Sequence, residues 1–125
     1  MAYKSYSDLK VWNRAMDLTD EIYRLVRKLP REELYGLSDQ MRRAAVSVPS
    51  NIAEGKGRQS NNEFRKFLLF ANGSCLELQT QLLICVRQKY LSEKDVEPAL
   101  TLSDEVNRML TSLILYLAPP SDKNH

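Results

Sequence analysis

Apolar residues recur at steps of three and four along almost the whole chain, and no stretch alternates with period two for long. The pattern therefore predicts helices throughout. A first helix is expected from about Ser7 to Leu29, with Val11, Ala15, Leu18, Ile22, Leu25 and Leu29 as its stripe. Trp12, Met16, Tyr23 and Val26 widen that stripe into a face. Ser7 is its expected N-cap and Pro30 its stop. A second helix is expected after Tyr35-Gly36, capped by Ser38 or a neighbour, with the stripe Leu37, Met41, Ala44, Val48 and Ile52 and an exit at Gly55 and Gly57. Pro49 lies inside it, but the stripe keeps its phase from Val48 to Ile52, so the helix is expected to be kinked yet continuous.

The stretch Ser60-Asn61-Asn62-Glu63 reads as a capping box opening a third helix. Its main stripe is Phe64, Leu68, Ala71, Cys75, Leu78, Leu82 and Cys85. A second set, Leu69, Leu76 and Leu83, recurs every seven residues. At about 100° per residue it projects roughly 120–150° away from the first. Phe70 and Ile84 add to that side. A helix apolar on two sides is either central in the core or shared with another subunit, and in a small four-helix protein the second reading points to an oligomer built on Leu69, Leu76 and Leu83. The fourth helix carries Leu102, Val106, Met109, Leu110, Leu113, Ile114 and Leu117. It opens either at a capping box from Ser92 to Asp95, with a kink at Pro98, or at Pro98 itself. Pro119-Pro120 ends it, with a frayed tail expected from about residue 119. Four helices of about 20 residues joined by short turns predict an all-α, antiparallel four-helix bundle about 30 Å long.

The length, 125 residues, is that of one domain, here residues 1–125, and no repeat or linker argues for a second. At 43% hydrophobic and 27% charged, the chain can bury a core. The only histidine is His125, which leaves no internal group for His-based acid–base chemistry and almost no route to a zinc site. Cys75 and Cys85, ten residues or about 15 Å apart on one helix, cannot pair with each other and read as buried small hydrophobes. A di-iron site has no Glu-x-x-His pair to build on. Glu54 and Glu77, the carboxylates nearest the middle of the sequence, read as salt-bridge or helix-end partners. Glu54-Gly-Lys-Gly-Arg58 follows a helix rather than a strand, so its glycines read as capping and not as a phosphate loop. No cofactor, no metal and no enzymatic activity are expected. The N-terminal residues are charged where a secretory segment would be apolar, and the longest apolar run, Leu113 to Ala118, is far short of the roughly 20 residues of a membrane span. A cytoplasmic protein is the expectation.

Charge changes the picture more than composition does. The net charge is only +2, but residues 1–39 are balanced, residues 40–92 carry eight basic and three acidic side chains, and residues 93–125 carry three basic and six acidic ones. The excess falls on helices two and three. Lys56, Arg58, Arg65 and Lys66 surround the turn between them, where the first amides of helix three also favour a phosphate and Gln59, Asn61 and Asn62 add donors. Arg42 and Arg43 extend the set, although neighbours on a helix point about 100° apart, so that one can serve the patch while the other meets a carboxylate. The bland alternative is a solvated polar face. Tyr3 and Tyr6 are candidate stacking groups for bases.

Four stretches carry a resemblance: Tyr6-Ser-Asp-Leu-Lys-Val-Trp12, Leu29-Pro-Arg-Glu-Glu-Leu-Tyr-Gly-Leu37, Gln40 to Gly55 with its Ser-Val-Pro-Ser-Asn-Ile-Ala-Glu-Gly run, and Phe64 to Leu83 with Asn72-Gly-Ser-Cys-Leu-Glu-Leu78. They closely resemble the bacterial four-helix-bundle proteins first seen in intervening sequences of 23S ribosomal RNA genes, over roughly residues 6–118. The resemblance implies a ring-like homopentamer. Its relatives include the accessory protein of diversity-generating retroelements, a basic pentamer that partners a reverse transcriptase and binds nucleic acid; this chain is less basic. The combined expectation is a non-enzymatic homo-oligomer that binds RNA or DNA through phosphate contacts. The rival is an oligomeric scaffold for a protein partner, with nucleic acid incidental; a reverse transcriptase or another protein is a further candidate partner, and a neighbouring reverse-transcriptase gene would favour the nucleic-acid reading. Within the Ser47–Gly55 stretch, Pro49, Asn51 and Gly55 are expected to be architectural, with Pro49 bending the helix, Asn51 bonding backbone freed by the bend and Gly55 permitting the exit.

Overall fold

The computed structural model describes residues 5–120, all helix and connection with no strand among them. The helices are α1 (Lys10–Val26), α2 (Leu37–Lys56), α3 (Asn61–Arg87) and α4 (Glu93–Tyr116). Each packs on two others, α1 with α2 and α4, and α3 with α2 and α4, the pair α2–α3 being the most extensive. The expected stripes of α1, α2 and α3 line one shared core, with Leu18, Ile22, Met41, Ile52, Leu68, Leu78 and Leu82 fully buried. On α4 the buried set is Val96, Ala99, Ser103, Val106 and Leu110, and Leu102, Met109, Leu113, Ile114 and Leu117 pack against it half-buried.

The ends of the helices depart from expectation. Ser7 does not cap α1. It sits inside a 3-10 turn (Tyr6–Asp8) that sets the Tyr6 ring edge-on against Trp12 at 5.1 Å. The helix starts after Leu9, and Asn13 Nδ2 donates to both Ser7 O and Leu9 O at 3.0 Å. It ends at Val26 rather than Leu29: Lys28 N and Leu29 N donate only three residues back, to Leu25 O and Val26 O, ahead of Pro30, although Leu29 stays buried. Ser38 does not cap α2 either. Its side chain turns inward and is 3% exposed, and the free Leu37 amide donates instead to Glu33 Oε1 at 3.0 Å. The other oxygen of Glu33 accepts from Tyr90 Oη at 2.9 Å, so one carboxylate ties the start of α2 to the segment after α3. Those two bonds, the Leu37 amide first, hold the Glu33 carboxyl below its ordinary value.

Helix α2 runs unbroken through Pro49, as its stripe implied. A proline cannot bond the carbonyl four residues back, here Ala45 O. That carbonyl is met from α1: Thr19 Oγ1 lies 3.1 Å from Ala45 O while also contacting Ala15 O at 2.9 Å. Asn51 does not fill the role expected of it. Its Nδ2 donates to Ser47 O at 2.8 Å and to Ser47 Oγ at 2.9 Å, and Ser47 Oγ bonds Ser74 Oγ of α3 at 2.8 Å. Gly55 likewise does not form the exit. It is buried within the last turn of α2, without positive φ, and a Cβ there would lie 2.7 Å from Phe67 Cβ and 3.0 Å from Phe64 Cδ1. The glycine is required by the closeness of α3.

The third helix spans 27 residues, about 40 Å, and so outruns its neighbours. Ser60 Oγ accepts from the Glu63 amide at 3.1 Å, but the reciprocal carboxylate bond of the expected box is not formed among the described residues, Glu63 being exposed. At the other end Lys89 takes φ 63° at the position after the cap, where Tyr90 N donates back to Cys85 O at 2.9 Å. For α4 the structure selects the first alternative: Ser92 and Asp95 form the full capping box and Pro98 lies inside the helix. The tail beyond Pro120 lies outside the described residues.

Thr19→Val should lower stability by about 1–3 kcal/mol, the cost of a buried carbonyl without a donor. In a Pro49→Ala background most of that loss should vanish, since the restored amide takes Ala45 O; a urea-unfolding cycle that showed equal losses would refute the assignment. Gly55→Ala should cost roughly 1–3 kcal/mol through overpacking. Gly57→Ala, whose Cβ would meet nothing nearer than 3.5 Å, should stay within about 0.5 kcal/mol. Because the Glu33 carboxyl is lowered from 4.5, its contribution is present above that pH and fades as pH falls through the lowered folded value. Glu33→Gln should therefore melt below the parent at neutral pH, with the gap closing in acid.

Candidate functional site

The turn from α2 to α3 is built by Gly57, which ends α2, and Ser60, which caps α3. The amides of Asn61 and Asn62 have no acceptor among the described residues, and the Gln59, Asn61 and Asn62 side chains are exposed beside them. Lys56, Arg58, Arg65 and Lys66 all lie within this turn or the helix turns flanking it, as expected, but they do not play equal parts. Arg58 Nη2 donates to Glu54 Oε1 at 2.8 Å, and its guanidinium stands 4.8 Å from the centre of the Phe67 ring. Arg65 Nε donates to Ile114 O at 3.1 Å, meeting one of the carbonyls that the last turn of α4 leaves without a helical partner. Both arginines therefore hold the fold. Lys56 and Lys66 make no ion pair among the described residues, and Lys66 is exposed.

Arg42 and Arg43 belong elsewhere. Fourteen residues of helix, about 21 Å, separate Arg42 from Lys56, so the six basic residues do not form one patch. Arg43 is 79% exposed and its Nε donates to Asp39 Oδ2 at 2.9 Å, which raises the guanidinium pKa further. Arg42 Nη2 donates to Leu34 O at 3.2 Å and lies 3.9 Å from Asp39 Oδ1. The expected division between the two holds only loosely, since both reach Asp39. Arg42 also lines a cavity of about 320 Å³ with Arg27, Arg31, Leu34 and Ser38. Arg27 and Arg31 escaped the sequence reading because residues 1–39 balance in charge; their nearness to Arg42 depends on the α1–α2 connection. Phe67, the ring beneath Arg58, escaped as well, being off the apolar stripe of α3.

Tyr6 is committed to Trp12, and Tyr3 lies outside the described residues. Cys75 and Cys85 are buried and unpaired, and burial pushes their thiols up to about 12 and about 11, far from reactive thiolates. Glu54 serves Arg58, and Glu77 Oε2 accepts from Gln81 Nε2 at 3.2 Å. Among the described residues no group of carboxylates, thiols or imidazoles could hold a metal ion, and no helix is long and apolar enough to cross a membrane.

The outer face of α3 is unpartnered among the described residues. Leu69, Leu76 and Leu83 are 51%, 49% and 53% exposed, and Phe70 and Ile84 are exposed beside them. On the same helix and on α4, the side-chain oxygens of Asn72, Gln81 and Asn107 are buried without a hydrogen-bond partner among the described residues.

No curated protein matches the chain. Among solved structures, a protein of unknown function from the S23 ribosomal protein family of Bacteroides thetaiotaomicron superposes with a TM-score of 0.77 at 27% identity, over 83% of this chain and 97% of that one. The 23S rRNA-intervening sequence protein family matches residues 7–112, from before α1 into the last turns of α4, and the chain belongs to that family.

Proposed function

We propose that the chain is a single-domain, non-enzymatic cytoplasmic protein that assembles through the outer face of α3 into a homo-oligomer, a pentamer by its resemblance, and binds RNA or DNA phosphates at the α2–α3 turn. An antiparallel bundle underlies this reading. In its support, Lys28 pairs with Asp95 and Arg14 with Glu105, Arg65 near the start of α3 reaches Ile114 near the end of α4, and Cys85 contacts Met41 across the opposite ends of α3 and α2. With α3 and α4 so opposed, Asn72 and Asn107 fall at one level, and a second subunit there would give their buried oxygens donors.

The observation that carries the assembly is the half-exposed ladder of Leu69, Leu76 and Leu83. A continuous apolar strip of this kind marks an interaction surface. Symmetry then multiplies the basic turn, and affinity grows with the number of phosphates neutralised. Lys56 and Lys66, free of ion pairs among the described residues, are the side chains proposed to touch phosphate directly, with the amides of Asn61 and Asn62 beside them. Arg58 and Arg65 add field while holding the turn. The names of the family and of the solved relative, which refer to 23S rRNA and to a ribosomal protein, favour RNA as the first probe. The rival scaffold reading draws support from the carboxylates already paired to Arg43 and Arg58.

Labelled structured RNA and duplex DNA titrated at several salt concentrations should show affinity that falls steeply with salt. Lys56→Gln with Lys66→Gln, which spares the two fold-holding arginines, should reduce the salt slope on duplex DNA by about 0.9 for each phosphate that is no longer neutralised. Binding that is weak, insensitive to salt, or unchanged in this variant would leave the scaffold reading. Leu76→Glu should shrink the particle seen by light scattering; a parent protein that is already monomeric would refute the assembly.

A further inference from the structure

At the other end of α2 the chain builds a cavity that the turn between α2 and α3 plays no part in. It lies at the α1–α2 connection, has a volume of about 320 Å³, and is lined by Arg27, Arg31, Arg42 and Ser38 together with apolar residues; none of its lining residues is acidic. Arg27 and Arg31 are exposed and make no ion pair among the described residues. Arg42 Nη2 donates to Leu34 O and lies 3.9 Å from Asp39 Oδ1, which leaves the other N–H groups of the guanidinium available.

Two further observations point to an anion. The cavity sits at the N-terminus of a 20-residue helix whose N-cap, Gly36, offers no side chain. The Leu37 amide is taken by Glu33 Oε1, but the Ser38 and Asp39 amides have no acceptor among the described residues. Such free amides, with the helix dipole behind them, attract negative charge. Independently, Ser38 is 97% buried, lines the cavity, and its hydroxyl has no hydrogen-bond partner among the described residues. A hydroxyl so nearly enclosed, with no partner from the chain, is completed from the cavity side by water or by a ligand.

We propose that this cavity binds a phosphate monoester. Such a group carries close to two negative charges at neutral pH and several acceptor oxygens. Three guanidiniums and the Ser38 hydroxyl line the cavity, with the unbonded Ser38 amide beside them, and together they offer the donors such a group takes. A backbone diester, with one charge and two free oxygens, uses fewer of them. The monoester arrives either on a free nucleotide or on the phosphorylated end of a strand. The inference is independent of the proposed nucleic-acid contact, since it uses different residues at the opposite end of α2.

The test is a titration of isotope-labelled full chain with inorganic phosphate, AMP and adenosine, followed by the amide signals of Ser38 and Asp39. Phosphate and AMP should move both signals, and adenosine should not. Arg27→Gln with Arg31→Gln, both exposed and outside the core, should weaken AMP binding by about tenfold or more, while Lys56→Gln with Lys66→Gln should leave it unchanged. Ser38→Ala should weaken it severalfold without loss of fold. A 5′-phosphorylated oligoribonucleotide that competes with AMP, where its 5′-hydroxyl twin does not, would assign the strand end as source; failure to compete would assign the free nucleotide. Absence of shifts at Ser38 and Asp39, or AMP binding that survives the arginine changes or falls with the lysine changes, would overturn the proposal.

Discussion

Two helix backbones can approach closely only where one of them gives up its side chain, and α2 does this at Gly55, against Phe64 and Phe67. Above that point the contact continues through small groups: Ser47 meets Ser74 by hydrogen bond, and Ala44 and Val48 are buried on α2. Much of the rest follows from this tight pair. With so narrow a face opposite it, α3 needs only one stripe, Phe64 to Cys85, to fill the core. Its second apolar set is left pointing away from its own chain. The same closeness brings the end of α2 and the start of α3 together, so that Phe67 comes to lie under the Arg58 guanidinium. The apolar outer face and the basic turn are thus two products of one packing constraint.

Charge in this molecule divides into cations that hold the fold and cations that remain available. Arg14, Arg43 and Arg58 meet carboxylates of their own chain, and Arg65 meets a helix end. Exposed pairs of this kind contribute little to stability, and they still project positive potential. Among the cations without an ion pair in the described residues, Lys56 and Lys66 lie at one end of α2 beside α3, and Arg27 and Arg31 at the other beside α1. A count by segment saw the first group and missed the second, because acidic residues nearby in sequence cancelled it on paper although none of them lines the cavity.

What could be read from the sequence was whatever depends on periodicity. Helix number, the buried stripes, the continuity of α2 past Pro49 and the two-sidedness of α3 all follow from spacing within one segment. What could not be read depends on a partner from another segment. Ser7 and Ser38 had the composition of caps, but Trp12 holds the ring of the first turn, and α2 begins one residue before Ser38, at Leu37, whose amide Glu33 takes. The carbonyl freed by Pro49 was foreseeable, whereas its donor on α1 was not. Gly55 looked like an exit because glycine often ends helices, and only the position of Phe67 gives its real reason. The basic turn was legible as a cluster, but the distinction between Arg65 and Lys66, adjacent in sequence, required the end of α4.

The bond from Thr19 to Ala45 also settles how α1 lies along α2. Apolar faces that meet through methyl groups resist sliding weakly, since one turn of helix offers much the same surface as the next. A carbonyl stripped of its amide at a single level breaks that sameness. If α1 shifted by one turn, about 5.4 Å, Ala45 O would face no hydroxyl, at a cost of about 1–3 kcal/mol. Proline and threonine together thus index the register of two otherwise smooth helices, and a break normally counted against a helix becomes the notch that locates its neighbour.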